Sequence, residues 1–142
     1  MGQIPNLTEL NLSNTRLSSL PDSIGYLSNL KNLNVSNNKL LFLPDLSEFG
    51  NLVRLDLSNN HVKNLTSRIS NLSNLQALEY LNVSANKLTN LPDTMLNMTN
   101  LESSNLSDNS LSPESQNLVN IINARIDYLP KMFTKAQREQ HN

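Results

Sequence analysis

Leucine and valine recur along the chain in a fixed rhythm. Leu7, Leu10, Leu12 and Leu17 form a row that returns as Leu30, Leu33, Val35 and Leu40, then as Leu52, Leu55, Leu57 and Val62, and again as Leu78, Leu81, Val83 and Leu88. A fifth row, Leu101, Ser104, Leu106 and Leu111, has a polar residue at its second position. Successive rows start 23, 22, 26 and 23 residues apart. Inside each row the second and third positions alternate with polar residues at period two, which predicts a short strand with one face buried. Strands at near-constant separation, each followed by a return segment, stack in parallel. The returns Leu20-Pro21…Ile24…Leu27, Leu43-Pro44…Phe49 and Leu91-Pro92…Met95…Met98 carry apolar residues about three apart, the spacing of a helical turn or a short 3₁₀ stretch. Proline directly after the leucine fixes φ and starts that turn.

One polar column runs through the apolar ones. Asn38, Asn60, Asn86 and Asn109 each stand two residues before the last apolar position of their row, with Thr15 in the first row. A buried carboxamide there can satisfy backbone donors and acceptors where the chain turns away from the strand, and each group left unpaired costs roughly 1–3 kcal/mol. Thr15 has a shorter arm and cannot complete the same set of bonds. Together these positions read L-x-x-L-x-L-x-x-N-x-L, and from Leu7 to Leu111 the chain resembles the leucine-rich repeat family. The resemblance implies an α/β solenoid, right-handed, with five parallel strands on its concave side and short helical or 3₁₀ returns on its convex side. The L-P-x-x-I-x-x-L of the first repeat and the 22–23-residue spacing are similar to intracellular repeats of the Ras-suppressor-like type. The short, cysteine-free, Asn-rich array also resembles the repeat domains of effectors that intracellular bacteria deliver into host cells.

After Leu111 the period stops. Ser112-Pro113-Glu114 is a helix start, with Ser as N-cap, Pro at the first helical position and an acid in the electropositive first turn. Leu118, Ile121, Ile122, Ile126 and Leu129 then form an apolar stripe, and Pro130 is expected to end the helix. The organisation expected is therefore repeats over 1–111, starting at Leu7, Leu30, Leu52, Leu78 and Leu101, a capping helix over 112–130 and a polar tail over 131–142. At the other end only Ile4 and Pro5 precede the first row, so its edge is expected to be minimally covered, trimmed from a longer chain, or open to self-association.

Composition narrows the chemistry. The 142 residues include 28 Leu and 25 Asn, few aromatics and no Cys, which excludes disulfide frameworks, thiolate zinc sites and a cysteine nucleophile. The net charge of −1 supplies no field for nucleic acid or anionic lipid, and no apolar run reaches membrane-span or signal-peptide length. The expected location is cytoplasmic or, for a bacterial effector, the host cell. With two histidines, His61 and His141, no metal cluster is expected, and no cofactor is. Asp56, Ser58 and His61 lie close in sequence, but nothing supplies an oxyanion hole or a substrate pocket, so no enzyme is expected. The eight Asn-x-Ser/Thr triplets read as a by-product of Asn and Ser richness.

Function is expected where strand side chains point outward. The residue between the paired apolar positions is Asn11, Asn34, Asp56, Asn82 and Asn105, followed two residues on by Ser13, Ser36, Ser58, Ser84 and Ser107. The serines fit local hydrogen bonding at the strand exit. The Asn/Asp column admits two readings, an amide ladder along the sheet or a polar floor for a ligand. Variation concentrates mid-array, where Lys31, Asn34, Val53, Arg54, Asp56, Glu79, Tyr80 and Asn82 are neighbours on adjacent strands, and Tyr and Arg are types enriched at binding hot spots. These eight residues are the expected contact patch for a partner protein. The extra residues around Ile69–Leu75 in the third repeat read as a tolerated insertion. A register that buries Leu55 mid-array makes Leu55→Ala cost about 2–5 kcal/mol of stability. A melting curve unchanged from wild type would refute the register.

Overall fold

The computed structural model describes residues 6–42, 48–63 and 75–132. Five three-residue strands form one parallel sheet in chain order: β1 Glu9–Asn11, β2 Asn32–Asn34, β3 Arg54–Asp56, β4 Tyr80–Asn82 and β5 Ser103–Asn105. Their register aligns Leu10, Leu33, Leu55, Leu81 and Ser104 across the sheet. The central leucines of β2, β3 and β4 are buried, and the residues on either side of each point out of the core, as period-two alternation requires. Leu7, Leu10, Leu12 and Leu17 are only partly buried, because no described repeat packs against their outer side.

The strands are short because the chain turns sharply after each one. Asn14, Asn37, Asn59, Ala85 and Asp108 occupy the same place in successive repeats, and all five have φ between 54 and 58°. Asn and Asp enter this left-handed region readily, since their short polar side chains bond locally. Ala85 has no such compensation.

The returns descend in steps of three. One 3₁₀ turn spans Asp22–Tyr26 and another Asp93–Asn97, each preceded by an extended proline, Pro21 or Pro92. Ile24 N donates to Pro21 O, Leu27 N to Ile24 O and Leu30 N to Leu27 O, each at 3.1 Å. Side chains three apart eclipse in a 3₁₀ helix, so Ile24, Leu27 and Leu30 all face the core and are fully buried. Met95, Met98 and Leu101 repeat the arrangement. The Leu43-Pro44 return and the Ile69–Asn74 part of the insertion lie outside the described residues.

Carboxamides join each repeat to its neighbour. Asn60 Nδ2 donates to Leu57 O and Ser58 O of its own repeat and to Val35 O of the one before, while its Oδ1 accepts from Leu40 N. Asn38, Asn86 and Asn109 make the corresponding bonds. Thr15 takes a reduced part, its Oγ1 donating to Leu12 O at 2.7 Å and its backbone N to Asn38 Oδ1 at 3.0 Å. A second set of carboxamide bonds, on the return side, has no counterpart in the motif. Asn51 Nδ2 donates to Ser28 O, and Asn100 Nδ2 to Gln76 O.

The last repeat is closed by α1, Pro113–Met132. Ser112 caps it, its Oγ accepting from Ser115 N and its carbonyl from Gln116 N. Two helix expectations need correction. Ile121 is 48% exposed, and among the described side chains, which leave out Leu129, the buried stripe is Ser115, Leu118, Val119 and Ile122, with Ile126 packed at its edge. At about 100° per residue Ile121 lies roughly 120° from the centre of that stripe, whereas Val119 falls inside it. Pro130 does not end the helix, which runs two residues further, because a proline in the final turn removes only one hydrogen bond near an end that already lacks several. The helix is also tied to the array by polar bonds. Leu91 N donates to Ser115 Oγ at 2.9 Å, and Arg125 donates to Leu96 O at 2.8 Å and Met98 O at 3.1 Å. Ser104, the polar break in the fifth row, donates to Asn123 Oδ1 of this helix at 3.4 Å.

The backbone at Ala85 carries the cost that its neighbours in the column avoid. Ala85→Asn should therefore raise stability by about 0.5–1 kcal/mol, part of the left-handed penalty of an unassisted residue. An equal or lower melting temperature would show that the strain is relieved some other way.

Candidate functional site

The outward face of the sheet is built from two columns. The first is Glu9, Asn32, Arg54, Tyr80 and Ser103, and the second is Asn11, Asn34, Asp56, Asn82 and Asn105. Register alone makes neighbours of Arg54 and Tyr80, and of Asp56 with both Asn34 and Asn82.

The second column is not a ladder running along the sheet. Each Oδ1 turns back into its own repeat and accepts from the serine two residues on. For Asp56 the bonds are 3.0 Å from Ser58 N and 2.7 Å from Ser58 Oγ. Asn11, Asn34, Asn82 and Asn105 repeat them with Ser13, Ser36, Ser84 and Ser107. These closed turns shape the strand exit and lead into the left-handed residue that follows. They also account for Asp56 and Ser58 lying together, as a turn motif that four other repeats share. His61, the third member of the constellation weighed above, bonds through its backbone to Leu40 O.

Arg54 and Tyr80 dominate the middle of the face. The guanidinium carbon lies 5.6 Å from the ring centroid, a cation–π contact worth about 0.5–1 kcal/mol at an exposed site. The Tyr80 hydroxyl is 3.5 Å from Asn82 Nδ2. A hollow of about 520 Å³ opens on the side of β1 and β2, lined by Glu9, Asn11, Asn32, Asn34, Arg54, Asp56 and Tyr80 among others. A smaller one of about 240 Å³ opens towards β5, lined by Val53, Arg54, Glu79, Tyr80, Glu102 and Ser103.

Of the eight expected contact residues, Asn34, Arg54, Asp56 and Tyr80 meet in the larger hollow, and Val53 and Glu79 join Arg54 and Tyr80 in the smaller. Lys31 and Asn82 line neither. Lys31 contributes its backbone, donating to Thr8 O and accepting from Val53 N and Arg54 N. Glu9, Asn11, Asn32, Glu102 and Ser103 line the hollows without having been singled out by sequence variation. Their signal was column membership, because register brings outer strands to the same surface as the central ones. Glu9 is held in place by Asn32, whose Nδ2 donates to its Oε1 at 3.1 Å. Among the described residues no group of His, Cys, Asp and Glu could hold a metal ion, and no helix is long and apolar enough to cross a membrane.

Models of the leucine-rich repeat match residues 5–62 and 77–98, together more than half of the chain. The chain belongs to the leucine-rich repeat family. Among solved structures it is similar to internalin C2 from Listeria monocytogenes, with 27% identity and a TM-score of 0.70 over 80% of this chain and 48% of that one. It is also similar to a plant peptide hormone receptor, RGFR1, in complex with RGF2, with 33% identity and a TM-score of 0.70 over 78% of this chain and 18% of the receptor. An internalin, InlF, from Listeria monocytogenes shares the fold at 21% identity, with a TM-score of 0.62 over 83% of this chain and 39% of that one. The chain thus spans about half the length of internalin C2 and under a fifth of the receptor. No curated protein compared with it matches.

The ring of Tyr80 lies on the sheet surface, away from the leucine core, so Tyr80→Ala should shift unfolding free energy by no more than about 1 kcal/mol. A larger loss, read from denaturant unfolding, would assign the ring a packing role.

Proposed function

We propose that this chain is a non-enzymatic interaction module that holds a partner protein on its concave face, centred on Arg54 and Tyr80. Leucine-rich repeat arrays serve in general as protein–protein interaction modules. The observation that carries the finer reading is the pair of hollows meeting at the Arg54–Tyr80 stack, where an aromatic ring and both signs of charge converge on a rigid sheet. Side chains already held in fixed rows lose little conformational freedom when a partner binds. The plant receptor, one-third identical over most of this chain, is a peptide hormone receptor. That likeness supports a peptide or an extended protein segment as the kind of partner.

A second reading, the repeat domain of a bacterial effector, has the similarity to a Listeria internalin in its favour. It uses the same face and differs in the source of the partner, a host protein encountered after delivery. Without delivery, the location is the cytoplasm.

Affinity capture with wild type beside Tyr80→Ala/Arg54→Ala tests the proposal, using lysates from the native source and from host cells. A protein retained by wild type and lost at least about tenfold on the double variant is expected, the scale of a hot-spot truncation. Equal recovery by both forms overturns the concave-face reading. Recovery of the chain itself and nothing else overturns it too, in favour of assembly through the partly exposed Leu7, Leu10 and Leu12 edge.

A further inference from the structure

Resting on the concave-face reading, we propose that Asp56 makes the centre of the array a selective site for a basic side chain, lysine or arginine, carried by an extended segment of the partner. One atom makes this rung different. Asp56 and the four asparagines of its column place Oδ1 in the same two bonds, with serine N at 3.0–3.1 Å and serine Oγ at 2.7 Å. With one oxygen held this way in every repeat, the remaining atom of the planar group is also held in an equivalent place. At Asn11, Asn34, Asn82 and Asn105 that atom is Nδ2, which can only donate. At Asp56 it is Oδ2, which can only accept and carries negative charge. A row of donors is interrupted at its middle rung by a single charged acceptor.

The surroundings leave that acceptor to a ligand. Asp56 is half-buried, and among the described residues the only hydrogen-bond donors to its carboxylate are the N–H and hydroxyl of Ser58, both on Oδ1. The nearest cation in sequence, Arg54, lies against the Tyr80 ring. Glu9 lines the same hollow, so two carboxylates face one guanidinium there. A neutral donor would satisfy Oδ2 by hydrogen bonding alone, whereas an ammonium or guanidinium adds a charge-assisted bond. An acidic segment would be repelled. Neighbouring strands lie roughly 4.8 Å apart, so an extended segment crossing them meets Asn donors on either side of the charged rung and reads donor, acceptor, donor in order.

The molecule supplies its own control. Asp56→Asn puts at this rung the residue that the other four repeats carry, with Oδ1 free to make the same serine bonds, so the fold should be retained. The test selects binders from a random seven-residue peptide library on wild type, then measures the strongest peptide against wild type, Asp56→Asn and Tyr80→Ala. The peptide is remade with its basic residue changed to glutamine. Lysine or arginine should be enriched, and Asp56→Asn should weaken binding about tenfold with no change in melting temperature. The glutamine peptide should lose a similar factor on wild type and nothing further on Asp56→Asn, the signature of direct coupling. Peptides that lose affinity on Tyr80→Ala but contain no basic residue, or bind Asp56→Asn as tightly as wild type, overturn the inference and leave the concave-face reading standing. Peptides insensitive to both variants, or no enrichment at all, overturn that reading and this one with it.

Discussion

A polar amide buried in a leucine core is the constraint on which the architecture rests. The Asn60 carboxamide has two N–H hydrogens and one carbonyl, and its partners lie in two different repeats. If the neighbouring repeat slid by one residue, Val35 O and Leu40 N would leave their places and the amide would stand unsatisfied in an apolar surrounding. The leucines resist the same slip, since alternation at period two would turn them outward, but hydrophobic contact is not directional and does not choose hydrogen-bond partners. Stacked leucines drive association of the repeats and select the face, and the Asn38, Asn60, Asn86 and Asn109 series locks the register atom by atom. Everything on the sheet surface inherits that register, including the meeting of Arg54 with Tyr80 and of Asp56 with Asn34 and Asn82.

Much of this is legible in the sequence. Period-two alternation located the first four strands, the repeat spacing placed the fifth despite Ser104 at its centre, and their alignment follows because a solenoid pairs like position with like. Pro21 and Pro92 start their turns for a reason contained in the residue itself, a fixed φ. The helix was legible from Ser112 and Pro113, but its buried face was not fully so. Ile121 is as apolar as Ile122, and only the direction from which the last repeat approaches decides that Val119 is covered instead.

The candidate site was legible in outline. Tyr80 and Arg54 stand out by residue type. Glu9 and Asn32 do not, since their relevance lies in forming the wall of a hollow that register places beside Arg54 and Tyr80. The Asn/Asp and Ser columns were visible separately, yet their joint meaning required the backbone path. The backbone path from Asp56 to Ser58 brings serine N and Oγ to the same oxygen, and the positive φ of the residue after the serine then turns the chain away from the sheet. Ala85 shows the converse, a position whose unusual conformation nothing in its chemistry announces.

The closed turn at each strand exit has a consequence for how this surface can change over generations. One oxygen of every Asn or Asp in the column is committed to architecture, and the other atom of the group faces outward, where at Asn82 it meets the Tyr80 hydroxyl. Asparagine and aspartate codons differ by a single base, so a minimal mutation at Asn11, Asn34, Asn82 or Asn105 would exchange a donor for a charged acceptor while the supporting turn stays intact. The scaffold thus separates what must be kept from what may vary within one side chain, and new charge patterns can be written across the face one rung at a time.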